Sequence, residues 1–435
     1  MKKLTAILLG AGHRGADAYA AYALSFPNEL EFVAVAEPRQ DRREEFCRLH
    51  NIPAARSFDH WQQLLDQPKL ADCAFICTQD RMHFEPLLRA VALGYQILVE
   101  KPVTPDKEEL LKIRELARSY PGVISVAHVL RYSSFFSKIK ELLEQGAIGD
   151  LVNIQHMESV GWWHMAHSFV RGNWRNSEES CPMILAKCCH DFDILLWLVG
   201  KPCRAVSSFG SLKVFKAENA PKGSPGHCLD GCVHRDNCPF YAPRFYLENP
   251  QAPSGNFRRV VAIEDTDEAL LEALATGPYG RCVYRCDNDV VDHQVVNMVF
   301  DGDVTVSLTM SAFTEHCQRT INLQGTRGQI TGCMEDNRVV LTDFTSGNVT
   351  EFKLRVPPTG HSGSDTLMMR TFVELVSQRL HSGSHEIPTA ANSKNRSDAV
   401  QAVESHLMAL AAEESRLQGG VLVSMDRFCT LQEGG

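Results

Sequence analysis

The chain has 435 residues, more than one typical domain, so two domains are expected. Hydrophobic residues make up 44% and charged residues 22%, as in soluble globular proteins, and the formal net charge of −9 argues against nucleic acid as a partner. No apolar run reaches the ~18 residues that a transmembrane helix needs. The apolar start, Leu4 to Leu9, is short for a signal peptide and runs into a glycine turn, so we expect a first strand and a cytoplasmic protein.

Short strand-like runs alternate with amphipathic helical stretches over residues 1–127. The strands are predicted in LTAILLG, ELEFVAVAE, ADCAFICT, YQILVEKP and GVISVAH. This alternation indicates βαβ units and a parallel sheet, and the continuous apolar character of the strands indicates that both faces are covered. We therefore expect an N-terminal α/β domain with a doubly wound parallel sheet.

The pattern changes in residues 128–435. Short turns separate longer strand-like runs, namely LVNIQHMES, RAVSSFGSLKVF, VVDHQVVNMVF, DVTVSLTMSAF and RTINLQG, which indicates antiparallel pairing. Helices are predicted at about 135–149, 183–198, 365–381 and 394–416. We expect a C-terminal α+β domain on a large open antiparallel sheet, with a Cys-rich insertion at about 216–260.

The segment after the first predicted strand fits the pattern G-x-G-x-x-G. Its glycines are Gly10, Gly12 and Gly15, with His13 and Arg14 before the last. The first glycine permits a tight turn, the second lets backbone approach a pyrophosphate, and the third lets the helix pack closely on the strand. The N-terminus of the following helix offers N–H groups to phosphates. The pattern therefore indicates a dinucleotide site, and the alternative is glycines kept for packing alone.

A carboxylate at the end of the second strand indicates the choice of dinucleotide. Glu37 lies about 20 residues beyond the glycines. Its side chain can accept both ribose hydroxyls of NAD and would repel the 2′-phosphate of NADP. NAD is the expected cofactor, and NADP stays the alternative because Arg39 follows closely.

Three further segments, together with the glycine loop, resemble the glucose–fructose oxidoreductase, inositol dehydrogenase and rhizopine-catabolism family (Gfo/Idh/MocA). They are Thr78-Gln79-Asp80-Arg81-Met82-His83, Glu100-Lys101-Pro102 and His190-Asp191-Phe192-Asp193-Ile194. The resemblance covers most of the chain and implies an N-terminal Rossmann domain, a C-terminal domain on an open antiparallel sheet, and hydride transfer between nicotinamide and a carbinol carbon. The cofactor residues that it implies are Gly10, Gly12, His13, Arg14, Gly15, Glu37, Thr78, His83, Glu100 and Lys101.

The resemblance also implies catalytic roles for Lys101 and His190, because in this family the corresponding lysine and histidine meet over the nicotinamide. Histidine suits removal of a hydroxyl proton near neutral pH, and lysine can stabilise the developing alkoxide. Many members carry an aspartate four residues before the histidine, where this chain has Ala186. Which carboxylate, if any, orients His190 therefore stays open.

Aromatic, histidine and arginine side chains are concentrated in residues 161–175, just before the helix of His190. Aromatic faces stack on sugar rings, and Arg and His bond hydroxyls or an acidic group, so this mixture suits a polar ligand. The candidates for substrate binding are Trp163, His164, His167, Arg171, Trp174, Arg175, Lys187 and Asp191, with Tyr132 and His361 as weaker ones. The alternative is a loop that packs its tryptophans on the sheet and leaves its arginines in water.

Three cysteines and a histidine lie close together in the predicted insertion. Cys228, Cys232, His234 and Cys238 supply the thiolate and imidazole ligands that suit tetrahedral zinc, although their spacing differs from C-x-x-C pairs. A structural zinc that clamps the loop is one expectation, and free thiols or a disulfide are the other.

The sequence predicts a pyridine-nucleotide oxidoreductase that acts on a sugar or cyclitol. One alternative is a glycosidase that oxidises a sugar transiently, eliminates the aglycone, adds water and reduces the product back. A second alternative is a dinucleotide sensor without catalysis. Strands such as VVDHQVVNMVF carry apolar residues at both parities, so we also expect a homodimer or dimer of dimers through the open sheet.

Overall fold

The computed structural model describes residues 3–248, 256–355, 363–382 and 395–430. Two β-sheets organise these residues, a parallel sheet formed before residue 127 and a larger sheet formed after residue 150. No helix in the described ranges is long and apolar enough to cross a membrane.

The first sheet has six strands among the described residues, and all of its pairings are parallel. They are β1 (Leu4–Leu9), β2 (Leu30–Ala36), β3 (Ser57–Phe58), β4 (Cys73–Ile76), β5 (Gln96–Val99) and β6 (Ile124–Val126). The strand order is β3-β2-β1-β4-β5-β6, and the direction of winding reverses between β1 and β4. This is the predicted doubly wound sheet, and every residue of β4 and β5 is buried, as strands covered on both faces require.

The helices on this sheet follow the predicted alternation. A π-helix (His13–Ala20) continues as α1 (Ala21–Ser25), and the others are α2 (Gln40–His50), α3 (Trp61–Leu65), α4 (Phe84–Ala92) and α5 (Lys107–Ser119), with single 3₁₀ turns at Ala54–Arg56, Asp80–Met82 and Val129–Tyr132. The side chain of Asp106 accepts a hydrogen bond from the Glu109 N–H and so caps α5. The sequence did not predict β3 and α3, because two and five residues are too short to show a period.

The second sheet has nine strands among the described residues. They are β7 (Leu151–Ser159), β8 (Cys203–Ser211), β9 (His293–Phe300), β10 (Thr305–Ser311), β11 (Gln318–Gly325), β12 (Gly328–Cys333), β13 (Arg338–Asp343), β14 (Val349–Lys353) and β15 (Val423–Ser424), in the order β14-β13-β12-β11-β7-β10-β9-β8-β15. The pairing is antiparallel except between β7 and β10, which run parallel. The predicted antiparallel sheet is present with this one parallel pair, which joins strands separated in the chain by β8 and β9.

The predicted helix at 183–198 is two helices. They are α8 (Met183–Ala186) and α9 (Cys189–Val199), separated at Lys187 and Cys188. The carbonyl of Ala186, at the end of α8, accepts a hydrogen bond from Lys101. The break in the helix therefore brings a backbone acceptor to the lysine of the Glu-Lys-Pro segment.

The remaining helices follow the parallel sheet in the chain. They are α6 (Ser134–Glu144), α7 (Trp162–His164) with a π-helix (Met165–Arg171), α10 (Ala242–Leu247), α11 (Asn256–Val261), α12 (Asp267–Thr276), α13 (Ser364–Ser382), α14 (Ala399–Leu417) and α15 (Met425–Phe428), with 3₁₀ turns at Ala217–Asn219 and Pro278–Gly280. Helix α14 packs against both α5 and β8 and so joins the two sheets. The connection from β8 to β9 spans residues 212–292, which is wider than the predicted insertion, and residues 249–255 lie outside the described residues.

Candidate active site

The carboxyl ends of β1, β4, β5 and β6 lie at one edge of the parallel sheet, which we call the cofactor edge. The glycine loop follows β1, Thr78 follows β4, Glu100 and Lys101 follow β5, and His128 follows β6. In doubly wound sheets ligands bind outside the carboxyl ends of the strands, where the winding reverses. The cofactor edge is therefore the candidate dinucleotide site.

The three glycines differ in what surrounds them. A Cβ on Gly10, whose φ is +91°, would lie 2.4 Å from the carbonyl oxygen of Cys77, and a Cβ on Gly15 would lie 2.3 Å from the carbonyl oxygen of Gly10. A Cβ on Gly12 would meet only Nη1 of Arg42, at 3.7 Å. The backbone itself requires the first and third glycines, whereas the second keeps space open for a ligand.

Glu37 is 5% exposed and is held against the glycine loop. Its Oε2 accepts a hydrogen bond from the Ala11 N–H at 2.7 Å, and its Oε1 accepts one from the Arg39 N–H at 3.0 Å. The guanidinium of Arg39 pairs with Asp41 at 2.6 Å. The carboxylate thus has the place that a ribose diol requires, and the nearby arginine already has an acidic partner.

Arg14 connects the glycine-loop helix to two other elements. It donates hydrogen bonds to Glu100 at 2.9 Å and to Asp365 of α13 at 2.8 Å, and the hydroxyl of Tyr19 also donates to Glu100. Burial opposes the guanidinium charge, but these partners outweigh it and raise the pKa of Arg14. Arg14 therefore holds the glycine loop to the Glu-Lys-Pro segment, while the neighbouring His13 is exposed and lies 3.0 Å from Asp17.

His83 is buried between two backbone carbonyls at the cofactor edge. Its Nδ1 lies 2.7 Å from the oxygen of Pro102, and its Nε2 lies 2.9 Å from the oxygen of Thr78. Both contacts fix the loop after β4 to the turn after Lys101. The predicted cofactor residues His83 and Thr78 thus shape the loop through backbone contacts.

Lys101 lies close to the segment that carries His190. Nζ of Lys101 donates to the carbonyl oxygen of Ala186 at 3.1 Å; Ala186 ends α8, and His190 lies near the start of α9. His190 is half-buried, and its ring contacts the ring of His128 with centroids 5.6 Å apart. The shared catalytic role of Lys101 and His190 stays a prediction.

A buried cluster of charges lies behind these two residues. Glu158 forms ion pairs with Lys187 at 3.2 Å and with Arg319 at 2.8 Å, and Arg319 also pairs with Asp191 at 2.9 Å. Burial raises the pKa of Glu158 against the opposing effect of Arg319, whereas Arg319 and His156 outweigh burial and lower the pKa of Asp191. Asp191 is thus bonded to protein groups, and Lys187 is the member of the cluster that remains half-buried at the site.

His164, a predicted substrate residue, is half-buried next to this cluster. Its Nδ1 is 3.9 Å from Sγ of Cys317, and its ring stacks on Trp163 with centroids 5.7 Å apart. Burial, followed by the charge of Lys187, lowers the pKa of His164, so the imidazole is neutral. A neutral imidazole can both donate and accept a hydrogen bond from a hydroxyl-rich ligand.

Other residues of the 161–175 segment are bonded to the protein itself. His167 is stacked between Phe257, at 3.7 Å, and Tyr279, at 4.8 Å. Arg171 is 1% exposed and donates to two backbone carbonyls, and Arg175 forms a two-bonded ion pair with Asp287.

The remaining candidates for substrate binding are Trp174, Tyr132 and His361. Trp174 donates to Asp80 at 3.0 Å, across the boundary between the two sheets. Burial raises the pKa of Tyr132 to about 12, and His361 lies outside the described residues. The sequence thus grouped residues that the structure separates, because His167, Arg171 and Arg175 are bonded to the protein itself.

The predicted zinc site is not confirmed. Among the described residues no three His, Cys, Asp or Glu side chains are arranged to hold a metal ion. Cys228, Cys232 and Cys238 are free thiols that line one small cavity with His234 and Cys282, and Nε2 of His234 hydrogen-bonds the Lys222 carbonyl. The four predicted ligands thus come near one another, but within the described residues they are not arranged as a metal site.

Sequence reasoning did not assign a role to four residues that lie at or near the site, and they differ in whether the sequence could have indicated them. His128 follows a parallel strand, and a polar residue at that point is a general sign of the ligand edge. Asp80 lies in a segment that the sequence singled out, but its partners come from the other sheet. Glu158 and Arg319 are opposite each other in the register of β7 and β11, which only the folded sheet reveals.

The doubly wound sheet, the open space over Gly12 and the Glu37 carboxylate held against the glycine loop define a dinucleotide-binding fold. The family model for oxidoreductases with an NAD-binding Rossmann fold matches residues 4–128, and the model for their C-terminal α/β domain matches residues 140–420. The chain therefore belongs to the Gfo/Idh/MocA family, and it is an oxidoreductase with an NAD-binding domain.

Relatives agree with this family. The Bacillus subtilis protein YteT, named as an oxidoreductase, is 25% identical over 309 residues, which is 69% of each chain. The inositol 2-dehydrogenase of Streptomyces avermitilis is 29% identical over 217 residues, covering 50% of this chain and 58% of that enzyme. The chain thus spans little more than half the length of that dehydrogenase.

Solved structures show the same fold. A levoglucosan dehydrogenase in complex with NADH and L-sorbose has a TM-score of 0.70 at 16% identity and covers 98% of this chain and 99% of its own. An inositol dehydrogenase homologue from Azotobacter vinelandii, complexed with NAD⁺, has a TM-score of 0.69 at 13% identity and covers 97% of each chain.

Proposed function

We propose that this protein is a NAD-dependent dehydrogenase that oxidises a hydroxyl-bearing carbon of a sugar or cyclitol. The observation that carries the proposal is that Lys101, at the cofactor edge, bonds the Ala186 carbonyl shortly before the helix that carries His190. Relatives named as inositol and levoglucosan dehydrogenases support the substrate class.

The two residues have complementary parts in this reaction. NAD, when bound, accepts the hydride at its nicotinamide ring. His190 takes the proton of the substrate hydroxyl, and the ammonium of Lys101 donates a hydrogen bond to the same oxygen and stabilises its developing negative charge. In this proposal the neutral His164 bonds a neighbouring hydroxyl, and Lys187, which pairs with Glu158, bonds another.

A panel of polyols tests the substrate class. Purified protein is incubated with NAD and with cyclitols, aldoses, anhydrosugars and sugar acids, and NADH is followed by its absorbance. Aryl glycosides are tested in parallel for release of the aglycone. NADH formed from at least one polyol is the expected result. Aglycone released without net NADH would assign the glycosidase reaction instead, and neither product from any compound would favour a dinucleotide sensor.

The cofactor preference rests on Glu37. Its carboxylate is held against the glycine loop, where a 2′-phosphate would meet like charge. Calorimetric titration should give tighter binding of NAD than of NADP, and a Glu37→Gln variant should reduce the difference. Equal or tighter binding of NADP by the wild-type protein would contradict the proposal and point to Arg39 and Arg42.

We also propose that the protein is a homodimer or a dimer of dimers through the open face of the second sheet. That face carries Phe209 of β8, which is 55% exposed, and Val295 of β9, which is 41% exposed. The two residues are opposite each other in the sheet, so together they form an apolar patch. Light scattering over a dilution series tests this, and a monomer at micromolar concentration would contradict it.

A further inference from the structure

His128 is a fully buried imidazole at the cofactor edge that the proposed reaction does not use. It lies two residues after β6 and next to α9. Its ring meets the ring of His190 edge to face, with centroids 5.6 Å apart and an interplanar angle of 78°. On another side it meets His406 of α14, with centroids 5.4 Å apart. The three imidazoles therefore form a row that leads from the active site into the interior.

The inner histidine of the row is fully bonded, whereas the middle one is not. Nε2 of His406 accepts a hydrogen bond from the Val103 N–H, and its Nδ1 lies 2.6 Å from the Ala402 carbonyl oxygen. Within the described part of the chain neither ring nitrogen of His128 has a hydrogen-bond partner, although both are buried. Buried polar groups without partners are rare in folded proteins and call for an explanation.

The charges around His128 decide its protonation state. Arg131, which binds both oxygens of Asp193, is a near neighbour, and so are Lys101 and Glu100. Nε2 of His128 is 3.9 Å from Oδ1 of Asp193, which is beyond hydrogen-bond distance. Burial, then the charges of Arg131 and Lys101, lower the pKa of His128, so the ring is neutral. It carries one N–H donor and one lone pair for a neighbour.

We propose that His128 is a positioning residue that sets the ring orientation of His190 and stabilises its protonated form. This inference rests on the proposed function, in which His190 takes the hydroxyl proton. The residue four positions before His190 is Ala186, whose methyl group offers no hydrogen bond. The rings of His128 and His190 are in edge contact without a hydrogen bond, so the lone pair of His128 is available to accept the N–H that His190 gains with the substrate proton.

Two substitutions at His128 separate its chemistry from its volume. His128→Phe keeps a flat ring against His190 but removes both nitrogens, and His128→Asn returns a donor and an acceptor in a smaller side chain. His406→Phe is the matched control, because it makes the same exchange in the same row without touching the active site. All variants are compared with the wild type in NAD affinity, in KM, in the pH profile of kcat, and in the pKa of His190.

The pKa of His190 is measured by NMR of histidine-labelled protein bound to NAD, with the signal assigned by its loss in His190→Gln. In His128→Phe we expect this pKa to fall by about 0.5–1 unit, because the protonated form loses an acceptor. The kcat should fall about tenfold or more, with its acidic limb moved to lower pH, while KM and NAD affinity stay within about twofold. His128→Asn should recover part of the loss, and His406→Phe should leave the profile in place.

An unchanged pKa of His190 and an unchanged kcat profile in folded His128→Phe would overturn the proposal. If His406→Phe also lowers kcat and shifts its pH profile as His128→Phe does, the effect comes from packing among the three histidines, and the proposal is overturned as well. If the wild type forms NADH from no polyol, the proposed function fails, and the NMR measurement still decides whether His128 sets the properties of His190. If His128→Phe does not fold, His128→Leu takes its place, because it also removes both nitrogens: a pKa of His190 lowered by about 0.5–1 unit supports the proposal, and an unchanged pKa overturns it.

Discussion

The cofactor edge and the 161–175 segment of the second sheet were both predicted to bind ligands, and they differ in how the structure uses their residues. At the cofactor edge, Gly12 leaves an open space, and Glu37 accepts a hydrogen bond from the neighbouring Ala11 N–H. In the 161–175 segment, His167 and Arg171 are bonded to other parts of the protein, whereas His164 is half-buried beside Cys317.

The difference shows that residue spacing predicts a binding site better than residue composition does. The cofactor edge is made of backbone turns at the ends of neighbouring parallel strands, and their geometry follows from short-range spacing. The 161–175 segment was singled out by composition, and composition does not say which side of a loop faces a ligand. The same arginine can bind a substrate or satisfy carbonyls in a packed insertion, and only its neighbours decide between these roles.

The largest effect is expected at the junction of the two regions. Lys101→Ala and His190→Ala should each lower the rate of hydride transfer by about 10²–10⁴-fold, because each removes a group that handles the hydroxyl proton or its charge. NAD affinity and thermal stability should stay near those of the wild type. Stopped-flow measurement of NADH formation checks the rate, and near-normal turnover in either variant would refute the assigned role.

The glycine loop offers a matched pair of substitutions within the cofactor edge. Gly10→Ala forces a side chain onto φ of +91° and within 2.4 Å of the Cys77 carbonyl, so the free energy of unfolding should fall by at least about 1–3 kcal/mol. Gly12→Ala meets no such contact, so it should fold normally and lose about tenfold or more in NAD affinity, which is about 1.4 kcal/mol. Chemical denaturation and calorimetry measure the two quantities. Equal effects of both substitutions on stability would contradict the assignment.

Two arginines test whether the 161–175 segment binds substrate. Arg171→Met should lower the free energy of unfolding by about 2–3 kcal/mol, because it leaves buried carbonyls without their charged donor. Arg175→Met removes a partly exposed ion pair with Asp287 and should cost about 1 kcal/mol or less. Both variants should keep KM for the polyol within about threefold of the wild type. A tenfold higher KM in a stable Arg175→Met protein would restore the substrate role.

The effect that is smallest at neutral pH concerns the acid stability of the same segment. Burial, then the charge of Arg171, lower the pKa of His167 to about 3, while the unfolded chain has a histidine pKa of about 6.5. The unfolded state therefore binds one more proton between these values, so stability is lost as pH falls from about 6.5 towards 3, by up to about 1.4 kcal/mol per pH unit. His167→Phe should flatten this slope by that amount. Denaturation at several pH values measures it, and parallel slopes would contradict the neutral, stacked imidazole.

The sequence by itself determined the parallel sheet, the glycine loop and the place of Lys101. Each of these is local, because apolar runs of a few residues set the strands and a six-residue pattern sets the turn. His190 was also predicted as a site residue, through the short segment that it begins. The family resemblance and the residue spacing point to the same residues, because both depend on the same short stretches of chain.

Only the tertiary structure decided what surrounds those residues. Glu158 and Arg319 meet through the register of β7 and β11, although they lie far apart in the sequence. His128 reaches His190 because β6 and α9 come together where the two sheets join. Contacts of this kind depend on long-range packing, and no local pattern of residue types encodes them, because the partners are chosen by the shape of the folded chain.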